Sequence, residues 1–194
     1  MRCLLCWLLI ALFLTGCSPQ VGLPVTTGPS STPIPVVTMT AVETETPAAV
    51  TNCAFAWSER GLPEVTDKVN QAFLDAGFRE VSAEARAYGE DCIDPQTNEV
   101  VQFSAMQTDF HISIAITDTS SKQVLGDWVE RVMRVLEPYK PGKVAGPNPG
   151  YVGITFGTSS DTVNLWFPRT QAEELIKDGT RGSHLFEALQ DQSP

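Results

Sequence analysis

The clearest pattern in the chain is a seven-residue apolar stripe, Val124, Leu125, Trp128, Val129, Val132, Met133 and Leu136, at helical spacing. Ser120 or Ser121 can cap that helix, and Pro138 stops it. A second helical stripe, Val65, Val69, Ala72, Phe73 and Ala76, starts with Pro63 and ends before Gly77. Other stretches alternate with period two. Val101, Phe103 and Ala105 form one set, and Phe110, Ile112, Ile114 and Ile116 form the next. These predict two half-buried antiparallel strands joined into a hairpin by Met106-Gln107-Thr108-Asp109. A second hairpin is expected from Val152, Ile154 and Phe156 against Val163, Leu165 and Phe167, turning at Ser159-Ser160-Asp161.

The remaining elements follow with weaker patterning. Residues 79–90 mix strand-like alternation (Val81, Ala83, Ala85, Ala87) with helix-favouring Ala and Glu, and a strand is the reading taken. Thr170 with Glu173 has capping-box spacing and opens a short helix that Gly179 can end. A last helix carries Leu185, Phe186 and Leu189, while 140–150 is irregular because of its Gly and Pro content. The expected fold is α+β: an antiparallel sheet of about five strands with helices packed on one face.

The N-terminus has a different character. Residues 3–14 are almost wholly apolar, behind Arg2. That run is too short for a bilayer helix, which needs about 20 residues, and fits the h-region of an export signal. Leu14-Thr15-Gly16-Cys17 follows it and resembles the lipobox of bacterial lipoproteins. The resemblance implies cleavage after Gly16, a diacylglyceryl group on the Cys17 thiol and possible N-acylation. It places the mature protein at the cell membrane, lipid-anchored on the extracytoplasmic side, since two or more acyl chains anchor stably. An ordinary cleaved signal and an uncleaved anchor are the alternatives. Cys3 and Cys6 have CxxC spacing but sit inside the h-region and would leave with it.

Residues 18–51 are half Ser, Thr or Pro, with six prolines, no Lys, Arg or aromatic residue, and only Glu43 and Glu45 charged. Such a segment cannot offset its ordering entropy by burial. It reads as a disordered tether spanning about 30 Å on average and on the order of 100 Å when extended. Its composition also resembles O-glycosylated stalks. The domain organisation is therefore 1–16 signal, 17–51 lipid-attachment Cys17 and tether, and 52–194 one globular domain.

Charge narrows the partners. The chain has 13 basic and 23 acidic residues, and loss of residues 1–16 removes only Arg2. An acidic surface of this kind repels nucleic acid. The expected partners are the membrane, through the lipid anchor, and an envelope protein or small ligand. Two cysteines remain after export, Cys53 and Cys92, and an isolated pair in an oxidising compartment is most simply one disulfide.

Candidate chemistry is sparse. GxSxG, HExxH, GxxxxGK[ST] and strand-following GxGxxG motifs are absent, and no cofactor or metal set is expected. Glu90, Asp91, Asp94, Asn98 and Glu99 offer oxygen ligands for Ca²⁺ but lack EF-hand spacing, so solvated loop charges are the simpler reading. Alternation places His111 opposite the isoleucines, and Asn164 and Trp166 on the matching face of the second hairpin. If the strands adjoin, these three make a polar, aromatic-bearing face that could bind a partner, or could simply be solvated. The leading expectation is a non-catalytic binding or accessory module. The alternative is an exported hydrolase-like enzyme with a site around His111.

Overall fold

The computed structural model describes residues 52–158 and 161–191. The expected signal, the lipid attachment at Cys17, the tether, and Ser159-Ser160 of the second turn lie outside the described residues. The elements run β1 (Ala54–Gly61), α1 (Pro63–Asp75), β2 (Val81–Ile93), β3 (Val100–Ile114), α2 (Lys122–Leu136), β4 (Tyr151–Thr158), β5 (Asp161–Pro168), α3 (Arg169–Lys177) and α4 (Gly182–Gln190). The five strands form one sheet in the order β1-β2-β3-β4-β5. Three junctions are antiparallel, but β3 and β4 are parallel. The α+β class stands, and the expected all-antiparallel sheet is corrected to a mixed one. The reason is the long connection: a parallel return needs a crossover, and α2 with the 137–150 loop supplies it.

The strand number is as expected, but the strands are not the same five. The predicted 101–105/110–117 hairpin is instead the single 15-residue strand β3. Tyr88 pairs with Gln107 and Gly89 with Ala105, so Met106 is an extra residue on β3. A bulge of this type shifts the side-chain phase by one residue without reversing the chain. The apolar set therefore passes from odd positions (101, 103, 105) to even ones (110, 112, 114), which in the sequence imitates a turn. Neighbours hold the chain extended there. Thr108 is buried, and its hydroxyl donates to the Ala145 carbonyl at 2.7 Å. The Asn148 N–H donates to the Met106 carbonyl at 3.0 Å. Gly146 makes this approach possible, because a Cβ there would lie 2.4 Å from the Gln107 nitrogen.

The missing strand was β1. Seven of its eight residues are exposed, so no buried face marks it in the sequence. It is held by its ladder to β2 and by the Cys53–Cys92 disulfide, which spans 39 positions. The chain-entropy treatment gives such a loop up to about 4 kcal/mol. Beyond Gly61, β1 no longer covers β2, and α1 takes over that edge. Asn70 accepts from the Ala83 N–H through Oδ1 and donates to the Ala83 carbonyl through Nδ2, both at 2.8 Å. Thr66 Oγ1 accepts from the Ala85 N–H at 2.9 Å. Two helical side chains thus satisfy strand groups that would otherwise be orphaned.

Helix boundaries follow local chemistry with two corrections. α1 begins at Pro63 and ends with Gly77 at φ +87°; Phe78 N–H bonds to the Phe73 carbonyl and Gly77 N–H to that of Leu74. Ser121 caps α2 by accepting from the Val124 N–H at 3.4 Å. Val124 itself is exposed rather than part of the buried stripe. The Thr170/Glu173 capping box does not form: the N-cap is Pro168, two residues before Thr170, with no side-chain cap. Glu173 instead accepts from Arg169 Nε at 2.9 Å. Arg169 is buried, donating through Nη2 to the Leu136 carbonyl at 2.7 Å and through Nη1 to the Tyr139 carbonyl. It neutralises the carbonyl end of α2, where a cation suits the helix dipole. One apolar core joins side chains from β2 to β5 with others from all four helices. No described helix is long and apolar enough to cross a membrane.

Candidate functional site

The site grows out of the strand phase. Phe110, Ile112 and Ile114 are buried, so Asp109, His111 and Ser113 point the other way. On β4 the buried set Val152, Ile154 and Phe156 sends Tyr151, Gly153 and Thr155 outward, and on β5 buried Leu165 and Phe167 leave Asn164 and Trp166 outward. The register then makes two rows across three strands: His111–Gly153–Trp166 and Ser113–Thr155–Asn164.

The three residues singled out in the sequence therefore come together. His111 and Trp166 rings lie 5.2 Å apart, tilted by 36°. Asn164 accepts from Thr155 Oγ1 at 2.8 Å in the next row. All three line one hollow of about 300 Å³. Gly153 is the reason the indole can lie across the sheet: a Cβ there would meet the Trp166 ring at 2.5 Å.

A second hollow of about 290 Å³ adjoins it on the far side of His111 and Trp166. Tyr88, Tyr151, Gln107, Asp109 and Glu59 complete its lining. Tyr151 stacks on Trp166 at 5.6 Å with planes 6° apart, and Trp57 stacks on Tyr88 at 5.4 Å and 7°. Sequence reasoning missed this second group. Period two counted back from His111 finds Asp109, and the β4 and β2 phases find Tyr151 and Tyr88. Trp57 carries no such signal, because β1 has no buried face.

The charges of this face differ in their partners. Arg86 is gripped by Glu59 and, at 2.8 Å, by Glu84. The hydrogen bond from Arg86 holds the Glu84 carboxyl below its usual range. Asp109 behaves oppositely: burial pushes its carboxyl up, and donation from the Tyr151 N–H and from Gln107 Nε2, each at 2.8 Å, opposes that push only in part. Of the two carboxylates nearest His111 in the ladder, Glu84 is taken up by Arg86, while Asp109 accepts the Tyr151 and Gln107 bonds on Oδ1.

Other candidates disperse. Asp91 pairs with Arg60 at 2.7 Å. Asp94 Oδ1 accepts from the Gln96 N–H at 2.7 Å within its own turn, and Asn98 sits at φ +58°. Among the described residues, no three His, Cys, Asp or Glu side chains converge to hold a metal ion. A further hollow of about 460 Å³ lies between α2 and α3. Most of its charges are paired: Glu130 bridges Arg134 at 3.1 Å and Arg181 at 3.3 Å, and Glu137 holds Lys140 at 2.6 Å. Compared with protein-family models, curated proteins and solved structures, the chain matches none.

Proposed function

We propose that this protein is an exported lipoprotein, anchored through acylated Cys17, whose domain is a non-catalytic binding module of the cell envelope. In this reading the tether of residues 18–51 holds the domain away from the extracytoplasmic surface of the membrane. The helices cover one face of the sheet, and the opposite face around His111, Asn164 and Trp166 meets an envelope protein or small ligand. The observation that carries the reading is the row His111–Gly153–Trp166, with an indole laid over a side-chain-free position. A half-exposed aromatic bed bordered by Asn, Thr and His offers both apolar contact and hydrogen bonding, as recognition surfaces do.

The test is co-purification from detergent-solubilised envelopes, comparing the native chain with His111→Ala/Asn164→Ala/Trp166→Ala. Loss of the co-purifying species, with an unchanged thermal midpoint, supports the binding face. Equal recovery with both proteins overturns it. Intact-mass analysis tests the anchor separately: residues 1–16 retained, or a bare thiol at Cys17, would remove the lipoprotein assignment.

A further inference from the structure

The second hollow on this face combines aromatic surfaces with a carboxylate that, among the described residues, forms no ion pair with a Lys or Arg. Tyr88, Tyr151 and Trp166 line it from three different strands. Asp109 is part of its lining, half-buried, and receives its hydrogen bonds from the Tyr151 N–H and Gln107 Nε2. Among the described residues, none of the ion pairs involves Asp109, whereas the neighbouring Glu59 and Glu84 both hold Arg86. Arg86 stands directly across from Asp109 in the register, yet its guanidinium is turned to Glu59 and Glu84.

We propose that this hollow, framed by Tyr88, Tyr151 and Trp166 with the carboxylate of Asp109, takes a compact organic cation such as a quaternary or alkylated ammonium group. The inference rests on the open face being a binding surface and specifies what one part of it holds. Aromatic faces attract a cation through their ring quadrupoles, and a desolvated carboxylate beside them adds charge complementarity. A volume of about 290 Å³ is at the bottom of the range for ligand sites, which suits a small cationic head rather than a large ligand. The chain's formal charge of −10 draws cations toward it generally. One local positive group sets a limit on affinity: Arg86, held in its carboxylate grip.

The experiment is isothermal titration of the full chain in non-ionic detergent with choline, tetramethylammonium, and 3,3-dimethylbutan-1-ol, the uncharged carbon isostere of choline. Saturable binding of both cations, with the isostere weaker by about tenfold or more, supports the proposal. Asp109→Asn should weaken choline by about tenfold while preserving the acceptor for the Tyr151 N–H, and Tyr88→Leu should weaken it by about threefold to tenfold. Equal affinity for choline and its isostere, no saturable signal from either cation, or an Asp109→Asn variant that binds choline unchanged would each overturn it. If Tyr88→Leu lowers the thermal midpoint, the isosteric Asp109→Asn variant decides alone. A negative result here with partner loss still seen in the His111/Asn164/Trp166 variant removes the cation and leaves the binding face standing.

Discussion

The two ends of the single sheet are held in unlike ways. Toward β4 and β5, Phe110, Ile114, Val152, Phe156 and Phe167 are completely buried and belong to the one core. Toward β1, Phe55 and Trp57 are 67% and 61% exposed, and Val100 on the neighbouring part of β3 is 50% exposed. The backbone ladder is continuous across both. What differs is the source of stability. The inner end gains the hydrophobic term, about 1.5–3 kcal/mol per large side chain buried. The outer end has a disulfide, ring stacking and exposed ion pairs such as Arg60–Asp91, whose guanidinium also lies 4.3 Å over the Phe103 ring. Exposed pairs contribute less than about 1 kcal/mol. A strand whose residues are almost all exposed therefore depends on its covalent link to a degree that a core strand does not.

The sharpest way to break the inner end is Phe156→Ala. A cavity in a fully buried position should cost about 3–5 kcal/mol, lowering the denaturant midpoint for every probe at once. Next is Cys53→Ser/Cys92→Ser, expected to cost about 2–4 kcal/mol. Its effect should be local: hydrogen exchange should accelerate in β1 and at 89–93 of β2 well before β4 and β5 change. Uniform loss of protection across all five strands would show that the two ends are one cooperative unit and would erase the contrast.

The smallest expected effect comes from Asp109→Asn, on the open face between the two ends. Burial raises the Asp109 carboxyl in the folded chain, so the folded state holds that proton more tightly than the unfolded state does. Its stabilising contribution is therefore present below pH about 4 and is lost as pH rises through the folded value. The variant should remove that decline and gain less than about 1 kcal/mol at pH 7, since solvent screens a half-buried group. Chemical denaturation of both proteins from pH 4 to 7 checks the sign; a variant less stable than the native chain at pH 7 would refute it.

Much of the inner end was legible from spacing. Leu125, Trp128, Val129, Val132, Met133 and Leu136 all proved buried, and Ile154–Leu165 and Phe156–Val163 pair as the second hairpin requires. The outer end was not legible. β1 gives no alternation because nothing covers it, and the Met106 bulge shifts the phase of β3 in a way that a turn would also produce. The candidate face was half legible for the same reason. His111, Asn164 and Trp166 follow from local phase, but the adjacency of β3 and β4 that unites them depends on a crossover of 36 residues. Asn70 and Arg169 were missed because each acts on a backbone far from it in sequence.

The sequence by itself determined which residues face inward along α2, the second half of β3, β4 and β5, because period and burial are both local there. It also determined the acidic charge and the pairing available to the two domain cysteines. Only the tertiary structure decided that β4 lies parallel to β3, that a helix asparagine finishes the edge of β2, and that Asp109 shares a hollow with Tyr88, Tyr151 and Trp166 without a Lys or Arg ion pair among the described residues. Those outcomes turn on contacts between segments distant along the chain, where competing arrangements with the same local pattern are separated by packing and hydrogen-bond satisfaction alone.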